Sequence, residues 1–287
     1  MIEIYLQNKL DRYKLFKYFK AGLHAFIRNG VVELSLASDR LIIKVDESFD
    51  FQETIKPVLI EALKKHVIET KEEIWLLDII KNVFYFEDSE EQTQILAMAK
   101  SILSGERLEL PNVTKLFTCE NIIYDAFRAF LTRNCQFDYE SFLTFRLKSY
   151  LDRLIDCVEM SIDEYQLEQE YQNLIESFRY YLKKRTPKLY SVHLLLDESY
   201  TFFDEFFQQI SEEKLEQYLD REIIFEKGIP IQEIVISPLV SIAPKELHLY
   251  CDEVNNGVVQ SIQNIFQERV KLYNKDFFWK NSHKMKF

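Results

Sequence analysis

The chain has 287 residues, of which 47% are hydrophobic, and its formal net charge at pH 7 is −11. This length and hydrophobic content support one large or two modest cores, which excludes a disordered protein, and the negative charge argues against a general nucleic-acid binder. The chain holds 23 Phe and 16 Tyr but only 5 Gly and 6 Pro, which indicates many helices, little sheet and no long glycine loops.

The first 46 residues have the pattern of a small α/β unit. Residues 2–7 alternate as a strand does, residues 10–27 keep the apolar spacing of a helix, and residues 32–36 and 41–45 are typical of two strands about a turn. The order predicts a β-α-β-β unit. Basic side chains line its helix, and we interpret them as a solvated face. They are Lys9, Arg12, Lys14, Lys17 and Lys20.

Residues 47–134 predict successive helices. Asp50 and Thr70 each precede a glutamate by three residues, which is the spacing of a capping box. Asp88 opens a third helix, and a fourth covers about residues 120–133. We expect these helices to form a bundle with short connections.

The longest helical stretch is residues 138–186, 49 residues without a Gly or a Pro. Its apolar residues over 147–165 share one helical face, whereas those over 171–182 share nearly the opposite face. Either the helix kinks within 166–170, or one continuous helix packs on one side early and on the other side late. Both alternatives place it inside the protein.

After Pro187 the pattern alternates between strands and helices. The predicted elements are a strand at 192–196, a helix near 212–221, a buried helix at 231–242 interrupted at Pro238, a strand at 247–251, a helix at 255–267 and a strand at 270–273. The last three are compatible with a parallel crossover.

The whole pattern predicts an α+β fold. A central helical bundle of about five helices, with the long helix inside it, is flanked by a small N-terminal β-α-β-β unit and a C-terminal α/β unit. The corresponding parts are residues 1–46, 47–187 and 188–287, which can also pack as one compact domain.

The location of the protein is predicted from its N-terminus and its cysteines. The N-terminus has an acidic residue, Glu3, and no apolar core of signal-peptide length. The least polar window, residues 234–244, contains two prolines and is far shorter than the ~20 residues that span a bilayer. The four cysteines are widely spaced, which favours reduced thiols. We therefore expect a cytoplasmic protein with no transmembrane segment and no cofactor.

Acidic residues are concentrated between Asp156 and Glu176, where there are seven and no basic residue. A di-iron bundle also needs a Glu-x-x-His pair on its helices, and this stretch has no His. One helical stripe, opposite the apolar face of residues 147–165, holds Asp152, Asp156, Glu159, Asp163 and Glu170. We interpret this stripe as solvated and predict no metal site.

A candidate polar cluster lies where the apolar face of the long helix changes. Glu164 and Glu168 are one helical turn apart at this place, and Tyr165 and Tyr171 accompany them. Carboxylates at such a margin can be partly desolvated and take Tyr or Arg partners. A buried network that fixes the kink is the favoured interpretation, and an acid–base site that includes His193 is the alternative.

Two histidines could contribute to a catalytic site in the C-terminal part. His193 and His248 each fall in a predicted strand. Asp197, Glu198 and Cys251 are near them in sequence. Neighbouring strands would bring these groups together, but no nucleophile elbow or phosphate loop accompanies them, so we interpret both histidines as structural.

The C-terminal tail, residues 269–287, carries six Lys or Arg and one Asp, a net +5 that leaves −16 on the remainder. Its candidate contact residues are Lys275, Phe277, Phe278, Trp279 and Lys280. Interleaved basic and aromatic side chains suit a nucleic-acid, membrane-surface or protein contact. The favoured alternative is that Phe277 or Phe278 docks on the preceding sheet.

Two segments carry a family resemblance. Residues 146–196, with the core DEYQLEQEY at 163–171, and residues 236–250, ISPLVSIAPKELHLY, resemble the YtxC-like sporulation proteins of endospore-forming Gram-positive bacteria. The resemblance covers nearly the whole chain. It implies the order of an α/β unit, helices and a second α/β unit, and it brings no catalytic residues.

The function that we expect is that of a non-enzymatic interaction or regulatory factor, with an unidentified protein partner, in a sporulating cell. The resemblance and the lack of a complete active-site motif both favour it. The alternatives are an enzyme with an acidic Glu/Tyr/His site and a nucleic-acid or membrane-surface contact through the basic aromatic tail.

Overall fold

The chain forms two compact units, each with its own sheet and core. The computed structural model describes residues 1–107, 110, 119–197, 199–220, 233–252 and 256–282. Contacts group Met1–Gln166 as unit 1 and Leu167–Phe287 as unit 2. Each unit contains a four-stranded mixed sheet packed with helices, so the α+β prediction is confirmed. The three-part division of the chain stays a prediction.

Unit 1 is mostly helical. Its elements are β1 (Ile2–Tyr5), α1 (Lys9–Gly22), α2 (His24–Arg28), β2 (Val32–Leu36), β3 (Arg40–Val45), α3 (Lys56–Val67), α4 (Glu73–Asp78), α5 (Ser89–Leu103), α6 (Cys119–Phe130), β4 (Cys135–Asp138), α7 (Tyr139–Arg146) and the first part of α8 (Lys148–Lys184). π-Helical turns at Phe51–Ile55, Ile68–Glu72 and Ile79–Val83 continue α3 and α4.

The sheet of unit 1 has the strand order β2-β3-β1-β4. β1 pairs antiparallel with β3 and parallel with β4, where Ile2 lies opposite Cys135. Ile2 and Ile4 alternate with partly exposed residues and are almost fully buried, as expected of a strand with one face on the core. The sequence pattern predicts β1, β2 and β3 but misses β4.

Two of the predicted helix starts are confirmed, and one is wrong. The carboxylate of Asp50 accepts bonds from two backbone N–H groups of the following turn, and that of Asp88 does the same for α5. Thr70 caps no helix. It lies in a π-helical turn that continues α3, and its hydroxyl donates to the carbonyl of His66 at 2.6 Å.

The long helical stretch breaks once, at Leu147, which ends α7 with φ −100° and ψ 19°. From Lys148 the helix α8 is continuous for 37 residues, including 166–170. Its buried residues up to Ile162 belong to the core of unit 1, and those from Ile175 belong to the core of unit 2. The structure therefore shows a continuous helix that buries different faces in turn.

Unit 2 contains the second part of α8 and a largely parallel sheet. Its other elements are β5 (Ser191–Leu196), β6 (Tyr200–Phe203), α9 (Glu212–Tyr218), α10 (Glu233–Ile242), β7 (Glu246–Tyr250), α11 (Gly257–Phe266), β8 (Val270–Tyr273) and α12 (Lys275–Ser282). The strand order is β6-β5-β7-β8, with β5, β7 and β8 parallel and β6 antiparallel. The predicted β7-α11-β8 crossover is confirmed, whereas β6 and α12 are not predicted. Pro238 lies inside α10 without ending it.

The sheet of unit 2 is covered on both faces. Alternate residues of β5, such as Val192 and Leu194, pack into the core with α10, α11 and α8. The other alternate residues of β5, His193 and Leu195, lie on the second face. They are also buried, because aromatic side chains and α12 cover that face. The candidate site lies on this second face.

Candidate functional site

The second face of the unit 2 sheet holds two neighbouring imidazoles. His193 on β5 is in register with His248 on β7, and their rings stack with centroids 4.6 Å apart. Phe207 also stacks on His193, at 4.1 Å. The Nδ1 atom of His193 lies 2.9 Å from the hydroxyl of Tyr250. His193 is therefore enclosed in an aromatic layer with one polar partner.

Burial sets the protonation of these groups. It lowers the pKa of His193 to about 4, and the neighbouring His248 adds to the effect. Burial is the largest cause that lowers the pKa of His248, and the charge of Lys271 lowers it further. The pKa of Tyr250 is raised by burial and by Tyr273. Near pH 7 the two imidazoles are therefore neutral and the phenol of Tyr250 is protonated.

Helix α12 closes the aromatic layer. Phe278 is 1% exposed and lies edge-on to Tyr250, with ring centroids 5.1 Å apart. Phe277 stacks on Tyr273 at 4.9 Å but remains 45% exposed, and Trp279 is 52% exposed. The tail thus docks through one aromatic side chain, as predicted for Phe277 or Phe278, and presents two others.

The basic members of the predicted contact tail lie on the same helix. Lys280 is exposed on α12, whereas Lys275, at the start of this helix, is half-buried. Residues 283–287, which complete the tail, lie outside the described residues. The prediction that these side chains form a contact site is not tested by their positions.

A polar cleft of about 420 Å³ opens at the carboxyl ends of β5 and β7. Its lining comprises Leu196, Asp197, Tyr200, Cys251, Asp252, Asn256 and Lys275. The Lys275 Nζ atom lies 2.7 Å from Asp197 and 3.5 Å from Asp252. Crevices at this end of parallel strands are the usual place for ligands in α/β sheets.

The reactive groups of the cleft are held in their protonated forms. The hydrogen bond with Asp197 is the largest cause that raises the pKa of the Lys275 ammonium. Burial raises the pKa of the Cys251 thiol. An ammonium and a thiol are poor nucleophiles at neutral pH, so this arrangement suits binding better than covalent chemistry. Glu198, the other predicted neighbour of His193, lies outside the described residues.

The members of the predicted polar cluster divide between the units. In unit 1, Glu164 forms an ion pair with Arg107 at 3.2 Å, and the hydroxyl of Tyr165 donates to Glu91 at 3.3 Å. Both contacts are local to unit 1, and α8 is continuous through residues 166–170, so they fix no kink there.

The other members lie in unit 2. Glu168 is exposed and accepts a bond from Gln172 at 2.7 Å. The Tyr171 hydroxyl lies 3.2 Å from that of Ser261 on α11. His193 makes the contacts described above. Each predicted residue thus has a defined local partner, and the idea of a joint acid–base site stays a prediction.

Sequence reasoning missed a buried polar network in unit 1. His66 is fully buried, with Nδ1 2.8 Å from the Tyr139 hydroxyl and Nε2 3.1 Å from the carbonyl of Asp11. The next π-helical turn supplies Lys71, whose ammonium donates to Asp11 and Glu140 at 2.8 Å each. The network links α1, α3 and α7. Short sequence motifs do not reveal this network, because the bonded partners of His66 are 55 and 73 residues away in the sequence.

Within the described ranges, no group of three or more His, Cys, Asp or Glu could hold a metal ion. No helix among these residues is long and apolar enough to span a bilayer.

Comparison with known proteins decides the family. A model of the YtxC-like family matches residues 57–271. The chain belongs to this family. A YtxC-like relative from Bacillus subtilis (strain 168), "Uncharacterized protein YtxC", is 34% identical over 249 residues, which cover 87% of this chain and 86% of the relative. No solved structure matches the chain. The resemblance seen in the sequence to the YtxC-like family is thereby confirmed.

Proposed function

We propose that the protein is a non-enzymatic interaction or regulatory factor that acts inside a sporulating cell. The observation that carries the proposal is the protonation of the groups in the strand-end cleft and in the aromatic layer. Lys275 is paired with carboxylates, Cys251 and Tyr250 have raised pKa values, and the imidazole of His193 is a weak base with a pKa of about 4.

These shifts are opposite to those that catalysis needs. An enzyme that uses a lysine or cysteine nucleophile lowers the pKa of that group, and a general base works best with a pKa near the operating pH. Here the pKa values of the Lys275 amine and the Cys251 thiol are raised, which favours their unreactive protonated forms. The same cleft retains polar groups of both charges, which favours recognition of a partner over turnover.

The cellular setting is supported by the family. The relative from Bacillus subtilis aligns with most of both chains, and the resemblance seen in the sequence connects the family with endospore-forming bacteria. The partner that we propose is a protein, because half-exposed aromatic side chains such as Trp279 are typical anchors of protein interfaces.

A complementation experiment tests this function. The gene of the relative is deleted in Bacillus subtilis, heat-resistant spores are counted, and this chain is supplied in trans. We expect fewer spores after deletion and recovery with the wild-type chain. The variants Cys251→Ala and Lys275→Arg should complement equally well, because they remove the thiol and the amine but keep the packing or the charge.

Two results would contradict the proposal. An unchanged spore count after deletion would refute the role in sporulation. Loss of complementation by Cys251→Ala or Lys275→Arg, with normal folding by circular dichroism, would indicate a catalytic thiol or amine instead of a binding role.

A second candidate is contact with an anionic surface through α12. Phe277 and Trp279 are about half exposed and Lys280 is exposed on the same short helix. Basic and aromatic side chains together bind single-stranded nucleic acid and lipid headgroups. If this candidate is right, the full chain binds oligo-dT or phosphatidylglycerol vesicles in a salt-dependent manner, and Phe277→Ala with Trp279→Ala abolishes it.

A further inference from the structure

Unit 1 has a groove of about 470 Å³ between α1 and α3. Small residues create it, because Ala21 and Gly22 of α1 face Ala62 of α3 and no large side chain fills the space. The two helices approach closely at Gly22, where an added Cβ atom would lie 3.0 Å from the Cγ1 atom of Val58. The result is an open, mainly apolar depression.

The helix on one side of this groove carries an unbalanced positive charge. The only carboxylate of α1 and α2, Asp11, is buried and bonded to Lys71 at 2.8 Å. The exposed cations of these two helices are Lys9, Lys14, Lys17, Lys20 and Arg28. The chain as a whole has a net charge of −11. This concentration of positive charge is therefore opposite in sign to the average charge of the chain.

The charged side chains of α3 that line the groove, Glu61 and Lys65, are each in an ion pair. Lys65 lies 3.6 Å from Glu69, and Lys64 lies 2.9 Å from Glu61. A ligand of the groove therefore meets its largest excess of charge on the α1 side. That charge is positive, so a complementary ligand is negative on the corresponding side.

Apolar exposure on α1 continues the groove. Tyr13, Lys17 and Ala21 follow one another at four-residue spacing and therefore lie along one side of the helix. Tyr13 is 52% exposed, and Leu10, one turn before Lys14, is 74% exposed. The surface thus alternates apolar and basic side chains and ends in an apolar groove.

We propose that this groove binds an amphipathic helical segment of an acidic partner protein. Apolar side chains of that segment occupy the space beside Ala21 and Ala62, and its carboxylates face Lys14, Lys17 and Lys20. The inference rests on the proposed interaction function and adds the chemistry of the partner.

The concave shape favours a peptide over a lipid surface. A bilayer presents a broad surface, whereas side chains spaced one turn apart on a helix can enter a groove between two helices. The groove extends along α3 from Pro57 to Lys65, which is about 12 Å at 1.5 Å per residue. That length accommodates about two turns of a partner helix.

The test uses the full chain and a fluorescein-labelled model helix with Leu at four-residue spacing and Glu at the other positions. Its matched control peptide has Lys in place of Glu. We expect the acidic peptide alone to bind in fluorescence anisotropy. Ala21→Trp, which fills the groove from an exposed position, and Lys17→Glu should each weaken binding about tenfold or more. Ala97→Trp and Lys81→Glu, exposed positions on other helices, are the matched controls.

Several results would overturn the inference. The inference fails if the acidic peptide does not bind, if the Lys peptide binds equally well, or if Ala21→Trp has no effect on binding. Binding to phosphatidylglycerol vesicles without peptide binding would identify a lipid contact, and a dimer that Ala21→Trp dissociates would identify a second copy as the occupant.

The spore assay separates this inference from the proposed function. We expect Ala21→Trp to fail in complementation and Ala97→Trp to succeed. If the deletion lowers the spore count and Ala21→Trp restores it fully, the groove inference fails while the interaction function stands. If the deletion has no effect, the proposed function itself fails.

Discussion

Each unit contains a buried histidine that uses the same kind of partner. His66 and His193 are 0% and 6% exposed, and each Nδ1 atom lies within 2.9 Å of a tyrosine hydroxyl. Burial is the largest cause that lowers the pKa of each imidazole to about 4. Both units therefore carry a base that folding keeps neutral.

The lowered pKa values of these two histidines predict that the folded chain loses stability in mild acid. In the unfolded chain an imidazole takes up a proton near pH 6.5, whereas in the folded chain these two do so only near pH 4. The unfolded state thus binds more protons between those pH values, and the free energy of unfolding falls as pH decreases from 6.5 to 4. Each histidine accounts for on the order of 3 kcal/mol of this loss.

Urea unfolding at several pH values checks it. His193→Gln should remove the part of the pH dependence that belongs to unit 2, and His66→Gln the part that belongs to unit 1. The exposed His24→Gln is the control and should leave the slope in place. A slope that survives both buried substitutions would assign the acid sensitivity to other groups.

A second prediction at this scale concerns the aromatic side chains of α12. Phe278→Ala should lower the free energy of unfolding of unit 2 by about 3–5 kcal/mol, because it empties a fully buried position. Phe277→Ala, at a half-exposed neighbour, should cost much less. Truncation after Asn274 should lower the melting temperature as Phe278→Ala does. Equal melting temperatures of the full and truncated chains would contradict the docking of α12.

The residues show which part of a site a sequence can reveal. His193 and the aromatic tail were recognised because they lie in periodic strand and tail patterns. His66 was missed, since its hydroxyl partner Tyr139 is 73 residues away and neither position belongs to a short motif. The cleft at Lys275 was also missed, because it depends on two strand ends that meet only in the fold.

Among the helices and strands, apolar periodicity predicted the observed secondary structure where packing is local. The apolar spacing identified both faces of α8, and the capping residues Asp50 and Asp88 marked true helix starts. β4 and β6 were missed because each has four residues and depends on a neighbouring strand. The break at Leu147 follows no Gly or Pro, so no local residue type marks it.

Helix α8 allows each core to be weakened separately. Leu154 is buried in the core of unit 1 and Ile175 in that of unit 2. Replacement of either by Ala should cost about 2–5 kcal/mol. The two tryptophans of the chain, Trp75 and Trp279, lie in different units, so the variants Trp279→Phe and Trp75→Phe leave one fluorescent reporter for each unit.

We expect Leu154→Ala to lower the unfolding midpoint reported by Trp75 and Ile175→Ala to lower that reported by Trp279. If either substitution shifts both midpoints equally, the two units unfold as one cooperative block. The single-tryptophan chains without a core substitution provide the reference curves.

The charge of the whole molecule predicts its solubility. The isoelectric point is about 5.1, so repulsion between molecules disappears in the pH range where the buried histidines lose their stabilising effect. We expect a solubility minimum near pH 5, measured by turbidity at fixed protein concentration. Added salt should not restore solubility, since the cause is a lack of net charge. His193→Gln together with His66→Gln should reduce aggregation there but leave the isoelectric point nearly unchanged.

The pairing of β1 with β4 has a consequence during protein synthesis. Ile2 lies opposite Cys135, and ribosomes add roughly 5–20 residues per second, so β4 is made roughly 7–27 s after β1. Throughout that interval one edge of β1 has no strand beside it and can pair with another nascent chain. A message that ends between β3 and β4 would therefore release a polypeptide with a permanently open edge, which quality-control proteases and chaperones would have to remove.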